Sequence, residues 1–512
     1  MLSRVDVSAS GKAPRGRVER LALGAAGLGA AALALATTGG CSTLIGYDDI
    51  AYEKGDTTDS SGARTSACVP SEAAGPVDDA CGAFVSAVNG DDAKGDGTKS
   101  RPFHTIARAL KMSNTVYACN GATVEEALEL DGDVAVFGGL DCMSGWAYAP
   151  KTRTEWHAPA GQIPVRVAEL ARLSLRDLEI VAPDAAEASG SSIGVLAGAD
   201  STLDLRRCTV KAGRGADGMP PPLPASAGMI GAPGQQGSDG CDANVPSTAP
   251  GLGGQGLCDD TDVSGGAGGP GLPGPSGADG SDGSPTPGAG DPGHGGKKQD
   301  ATKCEAGHPG EKGAMGADGG GGQSVGSISK DGYTGSSGDD GARGGPGQGG
   351  GGGGGARSCW NAKAGPAGGG GGSGGCGGDG GKGGSPGGAS IGVLSLNAKL
   401  IASELLVVVA EGGAGGDGAQ GGPGGMGGLA GNAGSGDPAA QACTGGKGGD
   451  GGKGGRGGGG GGGPSIGIAY RGVAPPTMGV EIVVGVGGKG GKGAGSANDG
   501  APGAAAKTML MN

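Results

Sequence analysis

Glycine recurs in this chain with a period of three, and that phase limits the fold more than any other feature. From Gly368 the sequence reads GGG-GGS-GGC-GGD-GGK-GGS, from Gly412 GGA-GGD-GAQ-GGP-GGM-GGL, and from Gly445 GGK-GGD-GGK-GGR-GGG-GGG. A flexible linker has no reason to hold such a phase. Three residues per turn is the pitch of an extended left-handed helix rising ~3.1 Å per residue, with no internal hydrogen bonds. With Gly at two of three places, two faces lack side chains. The backbone N–H and C=O groups on those faces can then bond to neighbouring helices. The third place carries Asp, Lys, Ser or Ala and is expected to face water. Cys-bearing segments punctuate the tracts: Cys241 to Cys258, Lys297–Cys304, Cys359-Trp360-Asn361 and Asp437–Cys443. These read as turns at the tip of a bundle of antiparallel arms.

Composition sharpens this reading. Of 512 residues, 131 are Gly and 31 are Pro, against 3 Phe, 6 Tyr and 3 Trp. Glycine buries no side chain and loses the most backbone entropy on ordering, so one ordinary globular core over the whole length is excluded. The net charge of -13 argues against nucleic acid as a partner, because phosphate binding needs a basic face. The 12 Cys point to an oxidising compartment. The glycine phase resembles the polyglycine-II bundles of certain phage tail-fibre adhesins and of an insect antifreeze protein. Two stretches, Gly265 to Gly283 and Gly307 to Gly316, keep one Gly in three and are collagen-like in phase.

The N-terminus is predicted to be an export signal. Arg4, Lys12, Arg15, Arg17 and Arg20 precede an apolar run from Leu21 to Ala36, which leads through Thr37-Thr38-Gly39-Gly40 to Cys41. This resembles a bacterial lipoprotein signal, which implies cleavage before Cys41 and lipidation of its thiol. Thr38 stands where the usual box has an aliphatic residue. Ser42 after the cysteine resembles lipoproteins sent to the outer membrane. The expected location is therefore the outer membrane or cell surface of a Gram-negative bacterium, with the membrane engaged through the lipid.

Residues 41–100 are acidic and rich in Ser, Thr, Gly and Ala, and read as a flexible tether. At Pro102-Phe103-His104-Thr105-Ile106-Ala107-Arg108-Ala109-Leu110 the character changes. Phe103, Ile106, Ala107 and Leu110 share one helical face, with Pro102 placed to start the helix. Strand-like segments follow at Thr115–Cys119, Val124–Leu130, Val134–Phe137, Pro164–Val167, Leu173–Leu175 and Leu178–Val181. The helical run and these strands resemble the capping segment and first coils of right-handed parallel β-helices of the pectate-lyase-like class.

An internal repeat supports a solenoid. Ser192-Ile193-Gly194-Val195, Ser390-Ile391-Gly392-Val393 and Ser465-Ile466-Gly467-Ile468 each begin a copy, with partner strands at Thr202–Val210, Lys399–Val409 and Thr477–Val486. Ser324-Val325-Gly326-Ser327 reads as a degenerate copy. Leu203, Leu205, Cys208 and Val210 are expected to point inward. The fold expected is all-β: a right-handed parallel β-helix with long polyglycine-II or collagen-like insertions and little regular structure overall. The expected order is a signal at 1–40, a tether at 41–100, and a cap with first coils at 101–212. A Gly-rich insertion at 213–389, a coil at 390–411, an insertion at 412–464 and a coil at 465–486 follow. A Gly-rich tail at 487–512 ends the chain.

Setting aside Cys41 and a buried Cys208 leaves ten cysteines for cross-links. One pairing the spacing allows is Cys68–Cys81, Cys119–Cys142, Cys241–Cys258, Cys304–Cys359 and Cys376–Cys443; connectivity is open at this point. Candidate chemistry is thin. His104, His157, His294 and His308 show no metal-ligand spacing and read as solvated side chains. The stretch 412–420 nearly matches the calcium-binding nonapeptide of β-roll toxins, but Ala419 replaces its apolar anchor. No catalytic, metal or cofactor site is expected. Asp177, Glu179, Asp204, Arg206 and Arg207 are the strand residues on which a polysaccharide lyase or hydrolase in a β-helix groove would have to draw. The leading expectation is a non-enzymatic surface protein with a structural or adhesive role, meeting a surface glycan or protein ligand.

Overall fold

The computed structural model describes residues 68–72, 76–242, 245–288 and 292–512. The leader 1–40, Cys41 and residues 42–67 of the proposed tether lie outside them. Regular structure among the described residues is nearly all strand, with one α-helix, Ile106–Leu110. Three large sheets are built from parallel pairings along their length. The chain visits the sheets in rotation. Thr202–Arg206 lies in the first, Thr209–Ala212 in the second and Ser390–Leu396 in the third. Lys399–Ser403, Leu405–Val409 and Ser465–Arg471 then repeat that order, each in register with its predecessor.

Two corners of each circuit turn on single residues in the left-handed region. Asp177, Arg207 and Glu404, at φ 55°, 50° and 53°, separate first-sheet from second-sheet strands; Leu170, Asp200 and Asn397, at 63°, 55° and 61°, precede the next first-sheet strand. Each such residue costs roughly 1–2 kcal/mol, and each replaces a loop. The segments expected as single strands, Thr202–Val210 and Lys399–Val409, are therefore bent into two strands in two different sheets; Val124–Leu130 also divides, between the second and third sheets. Asn397 Nδ2 donates to Asp200 Oδ1 at 2.6 Å, linking corners of successive circuits.

Side chains from all three sheets meet in one apolar cluster. Leu203, Leu205, Cys208 and Val210 are buried there, with Leu173, Leu175, Leu178 and Ile180 below and Leu405 and Val407 above. The Ser-Ile-Gly repeat has a packing reason. A Cβ on Gly194 would lie 2.5 Å from Val210 Cγ1, one on Gly392 2.2 Å from Val407 Cγ1, and one on Gly467 2.3 Å from Ile482 Cγ2. Each glycine thus seats a second-sheet side chain. The serine hydroxyls close the third corner: Ser465 Oγ donates to Ala410 O at 2.7 Å and accepts from Gly485 N at 3.0 Å, and Ser192 Oγ accepts from Gly213 N at 2.8 Å.

That third corner is where the glycine-rich sequence leaves. Residues 213–389 run out after Thr209–Ala212 and return to Ser390–Leu396; 412–464 run out after Leu405–Val409 and return to Ser465–Arg471. A third, shorter excursion leaves after Val480–Val483 and returns at Ala505–Leu510, which pairs with Ser465–Arg471. The expected C-terminal tail is therefore an excursion plus a last strand.

The excursions are extended rods, hydrogen-bonded to any one neighbour at every third residue. Gly370, Gly371 and Gly372 donate in succession to Gln235, Gly266 and Gly446, and accept from Gly431, Gly254 and Gly350. Three consecutive residues thus engage six different segments. A Cβ on Gly371 would lie 2.0 Å from Gly350 O, and one on Gly372 2.1 Å from Gly428 O. The arms are not all antiparallel. Gly350 and Gly353 donate to Gly372 and Gly369, antiparallel, whereas Gly372, Gly375 and Gly378 donate to Gly446, Gly449 and Gly452, parallel. Naked backbone offers donors and acceptors on its faces in either direction. The collagen-like phase marks no separate fold. The stretch from Gly265 to Gly283 folds back on itself, with Ser281 N donating to Ala267 O, and Gly265 and Gly266 donate to Gly254 and Gly350; in the second stretch Gly307, Gly310, Gly313 and Gly316 donate to Thr444, Lys447, Asp450 and Lys453. The third place does not always face water, since Ser373 and Cys376 are buried beneath the hairpin around Cys258.

Other expectations need correction. The described part of the tether is folded: Ala83–Val85 pairs with Thr115–Cys119, and Phe84 is buried against Tyr117 and Trp146 at ring distances of 5.0 and 4.9 Å. An aromatic of that size repays ordering the chain around it. The helix starts after its Thr105 cap, not at Pro102, and buries Ala109 rather than Ala107. Ser327–Ser329 pairs antiparallel with Gly332–Thr334, so Ser324–Ser327 begins a hairpin and not a repeat copy.

The Glu126 carboxylate accepts from Ile106 N at 2.6 Å and Ala107 N at 2.9 Å, and burial pushes its pKa above the ordinary carboxylate range. A carboxylate raised in the folded state binds its proton more tightly there than when unfolded. Its contribution therefore favours the folded state below the ordinary value and is lost as pH rises through the folded one. Thermal unfolding followed against pH should show this downward slope above 4.5, and Glu126→Gln should flatten it. A second prediction concerns the rods. Gly371→Ala should cost about 1–3 kcal/mol or more by denaturant unfolding, while Lys382→Ala on an exposed third place should stay within about 0.5 kcal/mol.

Candidate functional site

The distal turns of the two long excursions gather at one end of the bundle, and disulfides join them. Cys241 pairs with Cys359 and Cys304 with Cys443, the second bridging the two excursions; Cys258 pairs with Cys376 further along the rods. Cys68–Cys81 and Cys119–Cys142 are as the spacing allowed. The other three pairs differ from that pairing, because rods running out and back bring together turns separated by 118 or 139 residues. Such long closures restrict the unfolded chain most in the chain-entropy account. Cys208 is a free buried thiol, pushed up to about 12 by burial.

A buried glutamine organises the tip. Gln299 is 4% exposed. Its Nε2 donates to Thr302 O at 3.4 Å and Ala439 O at 3.2 Å, and its Oε1 accepts from Gln441 N at 3.0 Å and Arg357 N at 3.4 Å. One side chain thus ties together three turns. Arg357 Nε donates to Ala439 O at 3.0 Å. The Asp437 carboxylate accepts from Trp360 N at 2.9 Å and Ala439 N at 2.8 Å, and the Trp360 N–H above all holds its pKa below the ordinary range. Asp300 is lowered likewise, first by the Thr302 N–H.

These contacts surround a cleft of about 550 Å³ whose lining includes Pro275, Asp300, Arg357, Ser358 and Trp360. Trp360 is 84% exposed, whereas Trp146 and Trp156 are 3% and 0%. The sequence marked Cys359-Trp360-Asn361 only as punctuation between tracts. Asp300, Arg357 and Gln299 carried no signal, because their meeting depends on how the rods are arranged. Cys241, Cys359 and Asp437 are close enough to suggest a cation site, but the two sulfurs are bonded to each other and offer no thiolate.

The strand residues considered for catalysis lie elsewhere, and each is engaged. Asp177 is buried and takes two hydrogen bonds from Arg207, both 2.8 Å, plus one from Tyr148 Oη at 3.0 Å. That pairing holds the Arg207 guanidinium firmly in its charged form. Asp177 and Arg207 are themselves corner residues, so their ion pair braces a corner. Glu179 pairs with Lys211, and Asp204 with Arg206 at 3.1 Å. Of the histidines, His157 lies 3.6 Å from Glu155 and His294 lies 3.2 Å from Asp282, while His104 is exposed. The rings of His294 and His308 are 6.5 Å apart.

No protein-family model and no curated protein matches the chain. Among solved structures, the chain is similar to the GH136 lacto-N-biosidase of Eubacterium ramulus at 18% identity and a TM-score of 0.21, covering 25% of this chain and 26% of that one. It is also similar to pectin methylesterase PemA of Erwinia chrysanthemi at 14% identity and a TM-score of 0.17, covering 26% and 46%. A rhamnogalacturonan lyase matches at 11% identity and a TM-score of 0.18, covering 25% and 40%. The matched parts thus span between about a quarter and just under half of those chains.

With Trp146 and Trp156 buried, Trp360 should supply nearly all collisional quenching of tryptophan fluorescence by iodide. Trp360→Phe should remove that quenchable component and leave the unfolding midpoint unchanged.

Proposed function

We propose that this chain is a non-enzymatic cell-surface lipoprotein with a structural or adhesive role. In this reading a lipid on Cys41 holds it to the outer membrane of a Gram-negative bacterium, and the acidic segment after it is the tether. The three sheets visited in rotation form a right-handed parallel β-helix, and the rods are a polyglycine-II-like bundle projected from it. The observation that carries the reading is the shared point of departure: all three glycine-rich excursions leave from and return to one corner of the circuit. A scaffold that sends its own backbone out in this way separates one surface from the sheets by the length of the rods. The rod 367–388 spans on the order of 60–70 Å. Five disulfides suit an oxidising exterior. Because Asp177, Glu179 and Asp204 are held by neighbouring cations, no observation favours the groove-enzyme alternative.

Expression of the full chain in a Gram-negative host tests this. Wild type should incorporate labelled palmitate, Cys41→Ala should not, and an antibody against the 357–366 turn should bind intact cells. An unlabelled wild type, or a turn reached only after lysis, would contradict the proposal.

A further inference from the structure

We propose that the cleft at the bundle tip binds a neutral pyranose, with the Trp360 indole stacking on the sugar's apolar face and Asp300 and Arg357 taking its hydroxyls. The inference rests on the reading of the bundle as an outward-facing structure and names the ligand class of its tip. Trp360 is not needed to build its turn. That turn is made by backbone and neighbours: Cys359 N donates to Lys363 O, Ala362 sits at φ 62°, Asn361 Oδ1 accepts from Lys363 N, and Asp437 takes the Trp360 N–H. The indole packs little of its surface against the fold and stands in water at 84% exposure.

The backbone that carries it is anchored. The preceding residue is locked to Cys241, the opposite wall is locked by Cys304–Cys443, and Gln299 joins the walls from beneath. A ligand meeting this surface orders little that is not already ordered, and that reduces the entropic cost of binding. The volume, about 550 Å³, lies in the range of small-ligand clefts.

The polar groups select the ligand. Arg357 forms no ion pair among the described residues and spends its Nε on Ala439 O, which leaves its terminal nitrogens as donors. The Asp300 Oδ1 is occupied by Thr302 N and Oγ1, which leaves Oδ2 as an acceptor. One fixed donor fork and one charged acceptor, of opposite sign, suit a ligand with paired hydroxyls and no net charge. An anionic sugar would meet Asp300, and a cationic one Arg357. A pyranose offers the complementary shape: C–H bonds of slight positive charge on one face, for the negative face of an aromatic ring, with hydroxyls around the rim.

The test uses the full chain on an array of neutral oligosaccharides of glucose, galactose and N-acetylglucosamine beside uronic acid and sialylated ones. Titration calorimetry then follows the best neutral probe. Wild type should bind neutral probes in preference to acidic ones, with a change in the Trp360 fluorescence. Trp360→Ala should weaken binding about tenfold or more, and Asp300→Asn and Arg357→Lys should each weaken it, with unfolding midpoints unchanged. Absence of neutral binding by a folded protein whose Trp360 is quenchable would overturn the proposal. So would affinity retained in Trp360→Ala, preference for acidic glycans, or binding only to protein ligands. Surface labelling of intact cells is independent of all four results, so failure here and failure of the surface reading remain distinguishable.

Discussion

The bundle depends on one contact: a backbone N–H meeting a carbonyl of a neighbouring rod across a gap that no Cβ can enter. Along the rods, glycine stands where a neighbouring backbone comes that close. Runs without interruption, 349–355, 368–372 and 457–463, are buried along their length. Where Gly occupies two of three places, the third carries Lys447, Asp450, Lys453 or Arg456, and of these Lys447 and Lys453 are exposed. Where Gly occupies one place, as at Gly228, Gly231, Gly234 and Gly237, those amides donate to Pro423, Met426, Leu429 and Asn432, while the carbonyls of Met229, Ala232, Gln235 and Ser238 accept from Cys376, Ser373, Gly370 and Ala367. Each hydrogen bond contributes modestly to stability, and the glycines lose much entropy on ordering. The bundle therefore needs its many bonds together, and disulfides at its turns to restrict the unfolded chain.

The sheets beneath solve a different problem. They must let the chain leave for as many as 177 residues, from 213 to 389, and return in register. The Ser-Ile-Gly strand does both. Its serine clasps the exit of the second-sheet strand, and its glycine seats a valine or isoleucine from that strand. An excursion can then be long without loosening the circuit, since the corner from which it departs is closed by contacts below it.

How much of this was legible follows from which features are local. The three-residue phase and the Ser-Ile-Gly copies are periodic in sequence, and both reappear as register: Ile193, Ile391 and Ile466 stand directly above one another. The bends at Asp177, Arg207 and Glu404 were not legible, because a non-glycine residue in the left-handed region leaves no mark on apolar periodicity. Phe84, in a segment that otherwise reads as a tether, is recognisable as core only once Tyr117 and Trp146 are placed beside it. Disulfide partners and the tip cleft were hidden for the same reason. Cys304 and Cys443 meet, and Arg357 reaches Ala439, only after every rod between them has found its place.

Amide hydrogen exchange read residue by residue across 345–356, 367–388 and 445–463 is the most direct measure of whether those rods exist. The account predicts that the amides of Gly350, Gly371, Gly372 and Gly460 exchange as slowly as those of the Ser390–Leu396 strand, with all three consecutive positions of an interior triplet protected. Exchange at random-coil rates through the glycine tracts, beside protected strand amides, would contradict it.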